Sequence, residues 1–145
     1  NSGVIGYSQG WKESVGVGMI EVTQSDDAPK SSFCEFDILK HGAKIPKLNE
    51  TGIHRSWSQI LTDKSEFIIC SGAFNSDENK KDIEYCEQYS KKAISLFEEY
   101  GNMGSANLMI GLAKGVELMN DSIQQVDLLD RDIYGRESLI RLKKC

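Results

Sequence analysis

The chain has 145 residues, of which 39% are apolar and 27% charged, a composition that fits one globular domain over residues 1–145. Its 17 basic and 22 acidic side chains give a net charge of −5. This argues against nucleic acid as a partner, because phosphate binding calls for a basic surplus gathered on one face. No run approaches the ~18 apolar residues a membrane helix needs.

The chain starts Asn1-Ser2-Gly3, without Met, as expected if a leader has been removed. Gly6-Tyr7-Ser8-Gln9-Gly10 matches G-x-S-x-G and is similar to the nucleophile elbow of cutinases, in which glycines let a strained turn present its serine. The Gly- and Val-rich stretch that follows lacks a helical pattern, so the pentapeptide is expected to be a glycine-rich loop. Val15, Val17 and Met19 alternate with Gly16 and Gly18, which predicts a strand over about 14–23. The turn formers Ser25 to Pro29 end it. Cys34, Phe36 and Ile38 alternate with Glu35 and Asp37, predicting a half-buried strand over 32–39.

Lys40-His41-Gly42-Ala43-Lys44-Ile45-Pro46-Lys47 is basic in an otherwise acidic chain and is expected to be an exposed loop. Lys40, His41, Lys44 and Lys47 are the candidate binding residues, since a rigid scaffold presenting a charged loop can reach an acidic patch on a partner. Ile53, Trp57, Ile60 and Leu61 have helical spacing and suggest a short helix. Glu66 to Ser71 is short and mostly apolar, as in a central strand.

In the second half the period changes from two to 3.6. Asn75 or Ser76 can cap a helix with Asp77 and Glu78 in its first turn. Ile83, Cys86, Tyr89, Ala93, Leu96, Phe97 and Tyr100 continue it as one stripe to Gly101. Residues 105–119 predict a helix that is apolar nearly all round, buried at the centre, with Gly111, Ala113 and Gly115 allowing close approach. The stretch Lys92 to Gly115, with Ala93, Phe97, Gly104, Ala106, Gly111 and Gly115, loosely resembles one helical hairpin of the Sel1/tetratricopeptide kind. With no second copy it is expected to be an ordinary antiparallel helix pair. Two further helices are expected, through Ile123, Val126 and Leu129 and from Arg136 to Cys145.

Cys34, Cys70, Cys86 and Cys145 form an even set with no CxxC pair, which favours disulfides over zinc. Disulfides imply a periplasmic or secreted protein. The pairing expected from the predicted elements is Cys34–Cys70 and Cys86–Cys145, each worth about 4 kcal/mol in the chain-entropy model.

His41 and His54 are the only imidazoles, and their spacing marks no metal site. Asp130 to Gly135 begins like a calcium loop, but Tyr134 and Arg141 stand where oxygen ligands are required. No cofactor motif is present; Gly16-Val17-Gly18 lacks the third glycine of a phosphate loop. The sequons at Asn49 and Asn120 decide nothing, because both also suit turns.

The fold class expected is α+β, a small antiparallel sheet from the N-terminal half packed against a layer of three to four helices from the C-terminal half, stapled by disulfides. The function expected is an exported, non-enzymatic protein-binding module, an inhibitor or immunity-type protein that occludes a toxin or lytic enzyme. The alternative is a small secreted serine hydrolase using Ser8 with His54.

Overall fold

The computed structural model describes residues 34–43, 47–49, 52–54, 61, 64–73, 75–131 and 136–145. Its strands are β1 (Cys34–Ala43), β2 (Lys47–Asn49), β3 (Gly52–His54), β4 (Ser65–Cys70), β5 (Ser90–Ser95), β6 (Gln125–Arg131) and β7 (Arg136–Lys144). Its helices are α1 (Ser76–Glu87), α2 (Leu96–Tyr100) and α3 (Asn107–Leu118). One five-stranded sheet runs in the order β1-β7-β6-β4-β5, while β2 and β3 form a separate two-stranded sheet. Within the large sheet β4 pairs in parallel with β5 and β6, and β7 lies antiparallel to both β6 and β1.

The expected α+β architecture is therefore overturned. The sheet is mixed, and three of its five strands come from the half of the chain expected to be helical. The helices do not form one layer, because α1 and α3 cover opposite faces. Ile68, Cys70, Leu129 and Leu139 pack with Cys86 on the α1 side. Phe67, Ile69, Val126, Leu128 and Ile140 face the other way, towards Leu108 and Leu112 of α3. Parallel neighbours require a crossover, and the chain supplies α1 between β4 and β5.

Local chemistry explains each departure. The stripe from Ile83 to Tyr100 is not one helix. It breaks at Gln88–Tyr89, where Tyr89 N–H donates to Cys86 O and the Ser90 hydroxyl to the same carbonyl. Residues 90–95 then extend beside β4. Ser95 opens α2 by accepting from the backbone N–H groups of Phe97 and Glu98, and Gly101 closes it at φ 76°. A strand in this stretch also excludes the helical-hairpin likeness over Lys92 to Gly115.

In the strands over 125–131 and 136–144 the middle residues are buried on both faces, Val126 to Leu129 in one and Leu139, Ile140 and Leu142 in the other. A short run buried on two sides carries the same apolar signal as a buried helix. Ile53 lies in β3 rather than in a helix; Trp57 and Ile60 of that expected helix, and the expected strand over 14–23, lie outside the described residues.

Several expectations hold. β4 is central, flanked by β5 and β6, and apolar. Asn75 caps α1 by accepting from Glu78 N–H. Gly111 and Gly115 give α3 its close approach: a Cβ at Gly115 would stand 2.3 Å from Leu142 Cδ1, and one at Gly111 2.7 Å from Leu128 Cδ1. The helix lies on the sheet face rather than at the centre, however, and leaves Ala113 and Glu117 exposed.

Candidate functional site

Among the described residues β1 and β5 are the outer strands of the sheet, and they differ in chemistry. β5 carries Lys91 and Lys92 in solvent, and Lys91 pairs with Glu66 at 3.0 Å. Charged side chains on an outer strand discourage pairing with another chain.

β1 alternates exposed charged residues, Glu35 and Asp37, with exposed apolar ones. Phe36 is 38% exposed, Ile38 62% and Leu39 40%. Phe36 and Ile38 are the register partners of Leu142 and Ile140, so they extend the apolar surface of the α3 side past the end of the helix layer. α3 packs on β4, β6 and β7, and β1 lies beyond it. The register shifts between Ile38 and Lys40, a bulge that re-aims the strand locally.

The opposite face of β1 is polar. Asp37 is the register partner of Arg141 and pairs with Lys143 at 3.4 Å. Arg141 in turn grips Asp127 through two hydrogen bonds of 2.8 and 2.9 Å. Among the described residues strand β1 is thus amphipathic, with one salt-bridged face and one apolar face on which Phe36 and Ile38 are exposed.

The candidate binding residues do not share one loop. Lys40 and His41 continue β1 opposite Leu139 and Ser138. Lys47 belongs to β2 and is the register partner of His54 on β3. Lys44 lies outside the described residues, as does Ser8. The expected single basic loop over 40–47 is replaced by strand at both its ends, because β1 runs as far as Ala43 to stay in register with β7.

The cysteines also meet differently. Cys34 and Cys70 stand on β1 and β4, three strand spacings or about 14 Å apart across the sheet. Cys86 faces the sheet from α1 and packs against Cys70, whereas Cys145 follows β7 beside Cys34. Neither expected pair is adjacent, and no disulfide is formed. Cys70 and Cys86 touch instead, with their Sγ atoms 3.0 Å apart in the core. Cys34 is the register partner of Lys144, which sets it beside Cys145. The Cys70 thiol is held well above the usual range, first by its hydrogen bond with Cys86 and then by burial.

Three other places could hold chemistry. At the carboxyl ends of β4 and β6, where open α/β sheets commonly bind ligands, the chain itself fills the space. Ser71 hydrogen-bonds the Asp130 carboxylate. Gly72 passes at φ 90°, so close to the Arg131 carbonyl that a Cβ there would overlap it at 1.9 Å. An open groove of about 610 Å³ runs between α1 and α2, lined by Asn79, Lys80, Ile83, Phe97 and Glu98 among others. Its central polar group is already occupied: Asn79 donates to Glu98 and accepts from Ser95. Beneath α1, Arg131 pairs with Asp82 at 2.7 Å, enclosed on all sides.

Among the described residues no group of three or more His, Cys, Asp or Glu side chains is placed to hold a metal, and no helix is long and apolar enough to cross a membrane. No family model, curated protein or solved structure matches the chain. Sequence reasoning missed the β1 edge. The alternation places Phe36 and Ile38 on one face of a strand, but nothing in the sequence says whether that face is covered.

Proposed function

We propose that the protein is an exported, non-enzymatic protein-binding module that holds its partner along β1, as an inhibitor or immunity-type protein does when it occludes another enzyme. One observation supports this reading: among the described residues the ten-residue strand β1 is an outer strand of the sheet, and it leaves Phe36, Ile38 and Leu39 partly or mostly exposed. An extended segment of a partner can add to such an edge. Backbone hydrogen bonds then supply affinity, and the apolar side chains supply specificity. The basic run over 40–47, which follows Leu39 in the sequence, supports an acidic partner surface. Export is supported by the even set of four cysteines.

The test is capture of the partner from periplasmic or secreted fractions of the source organism, followed by hydrogen exchange on the complex. Amides of residues 34–43 are expected to gain protection. Ile38→Lys and Phe36→Glu are expected to weaken capture tenfold or more without changing the unfolding midpoint appreciably. Protection confined to another surface, or undiminished capture by both variants, would overturn the reading.

A further inference from the structure

The contact between Cys70 and Cys86 decides among the three pairings that four cysteines allow. Cys70 ends β4 and Cys86 lies in the last turn of α1. Both are buried in one apolar cluster with Ile68, Leu129 and Leu139. The loop between them is the α1 crossover itself, so a bond here would fasten the helix to the strand it follows. Four residues before Cys86, Asp82 fastens the same face of α1 to Arg131 of β6. The native fold thus holds the two sulfurs in contact at 3.0 Å.

At the other end of the sheet, the register that pairs Cys34 with Lys144 sets the following residue, Cys145, at the margin of the same strand pair. Cys145 is exposed and Cys34 half-buried.

We infer that oxidation joins Cys70 to Cys86, stapling α1 to β4, and leaves Cys34 to close with Cys145 across the β1–β7 margin. With a small-molecule disulfide such as oxidised glutathione as oxidant, and while the folding chain still leaves Cys86 accessible, the Cys86 thiolate attacks one of its sulfurs. A mixed disulfide forms and one glutathione thiolate departs. The Cys70 thiolate then attacks the Cys86 sulfur, expelling the second glutathione. The protein loses two hydrogens, two electrons pass to the oxidant, and the two protons end on the released glutathione thiols. The same exchange closes the second bridge. The two differ in access. The buried bridge is shielded from reductant while the fold persists, whereas the exposed bridge at the margin opens first.

The test is refolding of the reduced, denatured full chain in a glutathione redox buffer, followed by tryptic mapping without reduction. Cleavage after Lys64, Lys80, Lys81 and Lys91 separates the Cys70 peptide from the Cys86 peptide. The expected product is residues 65–80 linked to residues 82–91, with the Cys34 peptide linked to Cys145. Mild dithiothreitol on the native protein is expected to free Cys34 and Cys145 for alkylation before Cys70 and Cys86. A peptide joining Cys34 to Cys70, one joining Cys86 to Cys145, or Cys70 and Cys86 recovered as free thiols after oxidative refolding would overturn the assignment. Should the wild-type chain refold poorly, the Cys34→Ser, Cys145→Ser double variant carries the same test. It must still yield the 65–80 to 82–91 linkage, and free thiols there would refute it.

Discussion

Asp82 and Arg131 meet at 2.7 Å beneath α1, with side chains 4% and 3% exposed. Glu137, the register partner of Arg131 on β7, approaches the same guanidinium at 3.8 Å. One buried cation therefore serves two carboxylates. Losing the cation leaves both acids desolvated, while losing Asp82 leaves Arg131 with Glu137 still beside it. Arg131→Met is expected to destabilise the fold by about 3–5 kcal/mol, the range for a broken buried pair, and Asp82→Ala by less. Urea unfolding of the two variants checks the order. A loss under about 1 kcal/mol for Arg131→Met would show that the cluster does not anchor α1.

Glycines at two close approaches are expected to respond unequally to alanine. At Gly72 the obstacle is the Arg131 carbonyl, a backbone atom that cannot turn aside, and φ there is 90°. Gly72→Ala is expected to prevent the native connection between β4 and α1. At Gly115 the obstacle is the end of the Leu142 side chain, itself fully buried. Overpacking of about 1–3 kcal/mol there is set against a helix-propensity gain of ~1 kcal/mol. A modest net loss is expected for Gly115→Ala. Soluble expression and thermal unfolding distinguish the cases, and a well-folded Gly72→Ala protein would contradict the crossing at Arg131.

What could be read in the sequence was local. Phe67-Ile68-Ile69-Cys70 is apolar and short, so its place as a central strand follows from composition alone. Asn75 with Asp77 and Glu78 marks a helix start by electrostatics that act within one turn. The break at residues 88–90 was hidden because Tyr89, Ala93, Leu96 and Phe97 keep helical spacing by coincidence, and because β5 exists only through pairing with β4, 25 residues away at Ser65 and Ser90. One local signal did mark the resumption of helix. Ser95 with Glu98 three residues later fits the S-x-x-E pattern of a helix start, and Ser95 caps α2. The cysteine pairing was hidden for the same reason, since it depends on where strand order carries each residue. The exposed edge could not be found from alternation, which gives the apolar face of β1 but not whether a helix covers it.

Tyr85 and Tyr89, with ring centroids 5.2 Å apart, give a pH dependence. Burial, then the neighbouring Tyr89, pushes the Tyr85 phenol up from 10.0 to about 12. A raised folded value means that the folded state holds this proton more tightly than the unfolded chain does. The contribution is complete below pH 10 and is lost as pH rises towards about 12. Denaturation midpoints are expected to fall across that window in the wild type. In Tyr85→Phe this part of the fall should be missing, and an identical alkaline profile in both proteins would contradict the assignment.

Ile38 and Ile140 are register partners on β1 and β7, yet Ile140 is buried while Ile38 stands mostly in solvent. Their substitutions are therefore expected to separate stability from recognition. Ile140→Ala removes packing from the α3 side of the core and is expected to cost about 2–5 kcal/mol. Ile38→Lys gives up only part of one cross-strand contact, roughly 0.2–1 kcal/mol, and places a charge where the outer strand exposes an apolar side chain. If β1 is the surface that meets a partner, Ile38→Lys should leave the urea midpoint nearly unchanged while reducing partner capture and any edge-to-edge self-association seen by sedimentation. An Ile38→Lys protein destabilised as much as Ile140→Ala would mean that Ile38 is covered in solution, and the β1 edge would then not be free to bind.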